Sequence, residues 1–249
     1  MLELVIIAAA NALIGGMIGM TGIAGFLLPL LYAGYLGMHV TEALALSFLA
    51  FLISGIIGAW NYWKEGHLDV RFGWQIGAGS FVGAIVGVLL NSLIPETTVR
   101  QILYLVVLLS GISILLRKEP KEEQKKNILE GRPGMILLLG AVTGAVCSLS
   151  GAGGPILVMP LLVVCGMEVR TAVGVALFDS IFIAIPAGAG YFLQTDMWTL
   201  LPMMGTAGIF HALGVQIGSK NAGRIPQQLL KKGVAVGSIL IAIWKLNIF

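Results

Sequence analysis

Charge is scarce in this chain. Only 11% of its 249 residues are Asp, Glu, Lys or Arg, where a soluble domain carries about 25%. The net charge of +3 rests on scattered basic residues, which leaves no electrostatic footprint for nucleic acid. The two cysteines, Cys147 and Cys165, sit inside apolar runs; they make no disulfide framework and have no metal-ligand spacing. Catalytic signatures are missing too. Gly214 to Lys220 ends Gly-Ser-Lys instead of the Gly-Lys-Ser/Thr order that a phosphate-binding loop requires. The sequence holds no nucleophile elbow, paired zinc-ligand histidines or acidic metal cluster, so no metal, no cofactor and no enzymatic activity are expected. The opening Met1-Leu2-Glu3-Leu4 lacks the basic region of a secretory signal, and the first apolar stretch is expected to be retained.

Apolar sequence is what the chain has in abundance. Hydrophobic residues make up 57% and glycine adds 34 more, together about 71% against about 45–50% for a soluble domain. So few charges could not shield that much apolar surface from water. The composition specifies an integral membrane protein.

The one hydrophilic stretch, 117–132, holds six basic and four acidic residues and divides the chain into similar halves. A shift of 129 residues aligns Gly22 with Gly151, Gly25 with Gly154, Gly37-Met38 with Gly166-Met167, and Val40, Ala43 and Tyr62 with Val169, Ala172 and Tyr191. A shift of 131 aligns Gly83 and Gly87 with Gly214 and Gly218, Ile94-Pro95 with Ile225-Pro226, and Pro29 with Pro160. The order of these matches predicts an internal repeat: 1–116, a charged linker 117–132 and 133–249, in a single membrane domain.

Each half opens with an apolar stretch (2–36; 133–165) interrupted by small residues. Three segments long enough to cross a bilayer follow: 41–63, 72–91 and 98–116, then 171–192, 198–218 and 233–248. A crossing takes about 20 helical residues. The second opening stretch is too short for two crossings and a turn, which predicts two half-length helices meeting in mid-membrane as a re-entrant hairpin. The expected fold is therefore an all-α membrane protein of two inverted repeats, each a broken helical hairpin plus three transmembrane helices. With the linker in the cytoplasm, every Lys and Arg except Arg100 and Lys245 falls on the cytoplasmic side, as the positive-inside rule requires. Both termini then face away from the cytoplasm, in the inner (plasma) membrane. Trp60, Tyr62, Trp63, Tyr191 and Trp198 are expected in interfacial aromatic belts.

The breaks read Gly19-Met20-Thr21-Gly22-Ile23-Ala24-Gly25 and Ser148-Leu149-Ser150-Gly151-Ala152-Gly153-Gly154-Pro155. Irregular backbone at membrane depth survives only inside protein or beside a watery cavity. Pro155 suits the first turn of a new helix, with the other return helix starting near Phe26. Two helix N-termini, each with about half a positive charge, would then meet at the centre. With the Thr21, Ser148 and Ser150 hydroxyls and the main chain at Gly22, Gly25, Gly151, Gly153 and Gly154, they form a candidate anion site. Ser47, Asn61, Gln75, Gln194 and Gln216 are further lining candidates or interhelical hydrogen-bond partners. Gly79, Gly83 and Gly87, and Gly214 and Gly218, recur every four residues, the spacing of close helix contact in membranes. Asp179 and His211 lie at similar depth inside adjacent predicted crossings. An intramembrane ionisable group is costly, so the pair is a candidate for mutual interaction and proton coupling.

Thr21-Gly22-Ile23-Ala24-Gly25 with Pro29, and Ser150-Gly151-Ala152-Gly153-Gly154 with Pro160, flank the charged linker in matched positions. This pattern resembles the sulfite exporter TauE/SafE family, also called the four-toluene sulfonate uptake permeases, over nearly the whole chain. The first copy departs from the family's denser glycine run, because Ile23 and Ala24 intervene. The resemblance implies an inner-membrane carrier of a small sulfur-containing anion such as sulfite, a sulfonate or sulfoacetate. The expected partners are that anion and the lipid bilayer, with no nucleic acid; a homodimer fits the sequence as well as a monomer. An anion channel of the same architecture is the alternative. An intramembrane enzyme using Cys147, His211 or Asp179 is a third reading, and it requires those groups within hydrogen-bond reach of each other.

Overall fold

The computed structural model describes residues 2–22, 24–116 and 128–222, together with 236, 239, 240 and 243. Ile23, most of the linker and the segment 233–248, with Arg224, Lys231, Lys232 and Lys245, fall outside the described residues or within isolated parts of them. Among the described residues the elements are all helical: α1 (Leu2–Thr21), α2 (Ala24–Tyr35), α3 (Val40–Lys64), α4 (Val70–Leu93), α5 (Glu96–Leu116), α6 (Pro133–Ser150), α7 (Gly154–Val164), α8 (Val169–Phe192) and α9 (Met197–Lys220). Six of them (α1, α3, α4, α6, α8 and α9) are long and apolar enough to cross a membrane.

Local chemistry sets the helix ends. The Asp69 carboxylate accepts the Phe72 amide at the start of α4, and Asp196 accepts the Trp198 amide at the start of α9, each satisfying an otherwise orphaned first-turn donor. Glu168 does the same for α8, accepting the amides of Arg170 and Thr171 and the Thr171 hydroxyl. Partial burial pushes the Glu168 carboxyl up. The Thr171 hydroxyl and amide, the Arg170 amide and nearby His67 outweigh that and hold it below the usual range. A carboxyl held low adds stability at neutral pH, and the contribution disappears as pH falls through its lowered folded value. Glu168→Ala is thus expected to destabilise the protein by about 1 kcal/mol at pH 7, with the difference shrinking as the pH is taken below the usual carboxylate range, as thermal melts across that range will show.

Helix directions follow from the contacts of the small residues. Gly15 of α1 faces His211 and Gly19 faces Val215 of α9, so these helices run in the same sense. Ser54 and Asn61 of α3 bond to His211 and to Gln216 and Ser219 of α9, again in parallel. Gly79 and Gly83 of α4 lie against Leu137 and Ala141 of α6, and Gly73 and Gly77 against Phe178 and Phe182 of α8; α4, α6 and α8 therefore run together. The two groups are opposed: along α3 and α8, Phe48 meets Gly188, Gly55 meets Ile181 and Tyr62 is beside Gly174. The two glycine stripes thus serve helix packing as the four-residue spacing predicts, and the halves interlock, with α1 packed on α9 and α6 on α4.

Because α1 and α3 run in the same sense, α2 must bring the chain back to the end from which α1 started. There His39 and Val40 lie beside Glu96 at the start of α5. By the same reasoning α7 returns to the opposite end, where the Cys165 carbonyl accepts the Ile128 amide and His67 lies 3.9 Å from Glu168. Two hairpins thus enter from opposite ends. Their arms are unequal, which corrects the expectation of two half-length helices. The outgoing arms have 20 and 18 residues, and only the return arms α2 and α7 are short. The reason is that no proline lies inside either outgoing arm beyond its first turn, and the polar residues within them, Asn11 and Thr143, bond back to carbonyls of their own helices. Each helix continues until the first residue in the left-handed region, Gly22 (φ 69°) or Gly151 (φ 70°), a conformation costly for any other residue.

The aromatic belt also needs correction. Trp60, Trp63 and Trp198 are exposed, but Tyr62 and Tyr191 are buried. The Tyr191 hydroxyl donates to the Ser148 carbonyl at 2.7 Å and its ring stacks on Phe48.

Candidate functional site

The two breaks meet. Gly22 and Gly25 from the first hairpin, and Ala152, Pro155 and Ile156 from the second, bound one enclosed cavity. Ile18 closes one side, while Phe51 and Ser54 of α3 and Ser180 of α8 complete the wall. Phe51 and Ser180 fall at the middle of α3 (Val40–Lys64) and α8 (Val169–Phe192), helices that each exceed membrane length. The cavity therefore sits at the middle of the bundle. Its volume is about 10 Å³, room for about one water molecule. A larger groove, about 400 Å³, lies between α1 and α9 around Gly16 and Gly214, but its lining is almost wholly apolar and it opens outward.

The glycines earn their place by closeness. A side chain at Gly25 or Gly153 would run into the Phe51 ring, and one at Gly151 into Leu44. Gly154 begins α7, with Pro155 in its first turn and no side chain capping its amides. α2 begins at Ala24 with a turn of 3-10 helix, Ala24–Phe26. Both return helices thus start at the cavity wall.

The candidate hydroxyls behave differently. Thr21 donates to the Met17 carbonyl, Ser150 to Val146, Ser148 to Ala145 and Ser47 to Ala43. Each turns back onto its own helix, and none of the four borders the cavity. Ser180, which does, donates to Ala176. The hydroxyl that the sequence reading missed is Ser54. It lines the cavity and its Oγ lies 2.6 Å from His211 Nε2. A signal for part of this wall was present: the shift of 129 residues relates Phe51 to Ser180.

Asp179 and His211 do not pair. His211 is buried between α3 and α1, with Nε2 on Ser54 and Nδ1 toward the α1 backbone at Asn11 and Gly15, where it makes no well-formed hydrogen bond. Asp179 is buried on the other side of the bundle, near Ser80 of α4 and Cys147 of α6. Neither carboxyl oxygen makes a well-formed hydrogen bond. Their similar depth along adjacent helices was readable, but not that α8 and α9 turn these residues to opposite neighbours. Cys147 donates to the Gly153 carbonyl, so the three groups required by the enzyme reading are not linked to one another. Asn61 and Gln216 form an interhelical hydrogen bond, and Gln194 bonds back to Gly190. No group of His, Cys, Asp and Glu among the described residues could hold a metal ion.

Long apolar helices around a centre bounded by two broken hairpins define a multi-pass α-helical membrane protein. The sulfite exporter TauE/SafE family matches residues 4–244, and the chain belongs to that family. It is similar to a probable membrane transporter protein of Bacillus subtilis, YdhB, with 26% identity over 88% of this chain and 89% of the relative. A second from the same organism, YjnA, is 23% identical over 70% of this chain and 74% of its own length. A probable membrane transporter protein of Haemophilus influenzae is 24% identical, with 94% of each chain covered. No solved structure matches. The chain is a membrane transporter of the TauE/SafE type.

Proposed function

We propose that the protein is a secondary carrier of a small sulfur-containing anion, of the sulfite, sulfonate or sulfoacetate type, working by alternating access between two inverted repeats. The observation that carries the proposal is the convergence of both backbone breaks on one closed cavity at mid-bundle. Free amides and the partial positive charge of a helix N-terminus favour an anion there. A space for one water is smaller than any sulfur oxyanion. The hairpins must therefore part to admit solute, and entering from opposite ends they can part toward opposite faces. Such a closed centre suits a carrier better than a channel, which needs a continuous water path.

The basic end of the bundle, with Lys64, Arg71, Arg170 and Lys220 at helix termini, is proposed to face the cytoplasm of the inner membrane. The membrane potential then drives an anion outward, by about 2.3 kcal/mol per charge per 100 mV, so export requires no coupled ion. Among the described residues no Lys or Arg borders the cavity, and two helix ends supply about one positive charge in all. A monoanion, or an anion moving with a proton, fits such a centre. Asp179 and His211 are proposed as separate proton sites, Asp179 against α4 and α6 and His211 against α1 and α3.

The test is flux in proteoliposomes with sulfite, sulfoacetate and thiosulfate under imposed potentials and pH gradients. Saturable flux that follows the potential is expected. Non-saturating flux with single-channel currents would replace the carrier by a channel. Unchanged flux and pH dependence in Asp179→Asn would remove the proton from Asp179.

A further inference from the structure

We propose that Ser54 is the side chain that donates to the anion in the central cavity, and that His211 determines whether it can. The inference rests on the anion-carrier reading and names the group in the site that recognises charge. Ser54 is 1% exposed and His211 fully buried. The hydrogen bond between them is 2.6 Å long, and the hydroxyl borders the cavity. The other buried hydroxyls at or near the breaks give their protons to main-chain carbonyls of their own helices. Ser54 instead shares its proton with an imidazole.

That pairing has two polarities. When Nε2 carries no proton, the Ser54 hydroxyl donates to it and presents only lone pairs to the cavity, which repels an anion. When Nε2 is protonated, the ring donates to Ser54 Oγ and the hydroxyl proton is free to turn toward the anion. On a ring that already carries its proton at Nδ1, a second proton taken from water therefore does two things. It places a positive charge one hydrogen bond away from the cavity, and it reverses the hydroxyl. Charge-assisted bonds of this kind are among the stronger ones.

Among the described residues no ion pair involves His211. On α1, packed against it, the one titratable residue is Glu3 in the first turn; on α3 they are Glu42, Tyr62 and Lys64 in the terminal turns; on α9 itself they are Asp196 and Lys220 at the two ends. Asp179 faces α4 and α6 instead. The shift of 129 residues puts Ile183 opposite Ser54, so the pair, one member from each repeat, has no symmetry-related copy and holds the anion off the pseudo-symmetry axis.

The experiment is flux of the full chain in proteoliposomes between pH 5 and 8. Sulfite is the transported probe, and methanesulfonate, whose charge is fixed over that range, is the competitor. In the wild type the apparent affinity for methanesulfonate should tighten as pH falls, by at most tenfold per unit, the limit for one linked proton. Ser54→Ala should weaken affinity about 10- to 100-fold and flatten the pH dependence, and Ser54→Thr should restore both. His211→Gln, which holds the hydroxyl but cannot take the charge, should flatten the profile. Saturable flux with wild-type affinity and pH profile in Ser54→Ala overturns the inference and leaves the carrier reading standing. If the wild type shows no saturable flux, the carrier reading fails, and nitrogen NMR of labelled histidine decides the pair alone. His39 and His67, at opposite ends of the bundle, serve as internal controls. Movement of the His211 signal on adding methanesulfonate to the wild type but not to Ser54→Ala upholds the pair; a silent wild type overturns it.

Discussion

Oxidising a Gly22→Cys, Pro155→Cys double variant is expected to stop transport completely, and reduction to restore it. A Cβ built at Gly22 lies 3.6 Å from the Pro155 Cβ, inside the range of about 3.5–4.5 Å that a disulfide spans. The bond would join the tip of the first hairpin to the first turn of α7 across the cavity. The left-handed backbone at Gly22 costs a cysteine about 1–2 kcal/mol, small against a covalent link. Cys147 is buried and Cys165 is partly accessible, so Cys165→Ser is the proper background. The measurement is sulfite flux before and after reductant, with cross-linking followed by mass spectrometry of the joined peptides. Full flux through the oxidised protein would show that the two tips never separate during transport, and alternating access by the hairpins would be abandoned.

The second large effect concerns stability. Gly83→Ala should destabilise the protein by about 1–3 kcal/mol, whereas Gly205→Ala should stabilise it by about 0.5–1 kcal/mol. Both residues sit inside long helices, so propensity alone gives them the same sign. The difference lies in what a methyl group meets. At Gly83 it would overlap the backbone of Ala141 on α6, forcing two closely packed helices apart; at Gly205 there is nothing within 4 Å. Thermal unfolding of the two variants in the same detergent tests this. Equal shifts in one direction would mean that the α4–α6 contact is looser than its glycine spacing implies.

These glycines show how far the sequence could be read. Four-residue spacing announced that α4 and α9 would each meet another backbone, because only close approach rewards a missing side chain. It did not name the partners, since α6 and α1 carry the same small, apolar residues as their neighbours. The breaks were legible because left-handed backbone leaves glycine as its mark at Gly22 and Gly151. The arm lengths were not, because uninterrupted apolar sequence does not show where a helix starts. Tyr62 and Tyr191 read as interfacial from their places near segment ends, but a tyrosine near a helix end is compatible with lipid or with the bundle. Contact with Gly174 and with Phe48 turned both inward. The Ser54–His211 bond joins residues 157 positions apart, and no local pattern marks such a meeting.

The return arm α2 carries one more consequence. Its last six residues, Leu30–Tyr35, wind as a π-helix, with the Leu36 amide reaching back five residues to the Leu31 carbonyl. Such a turn holds one residue more than an α-helical turn, and each residue swings an α-helix by about 100°. Tightening this stretch to ordinary α geometry would rotate the tip by roughly a quarter turn and carry Gly25 away from Phe51. The aim of the first hairpin is thus set by a winding defect some two turns away from the place it points to.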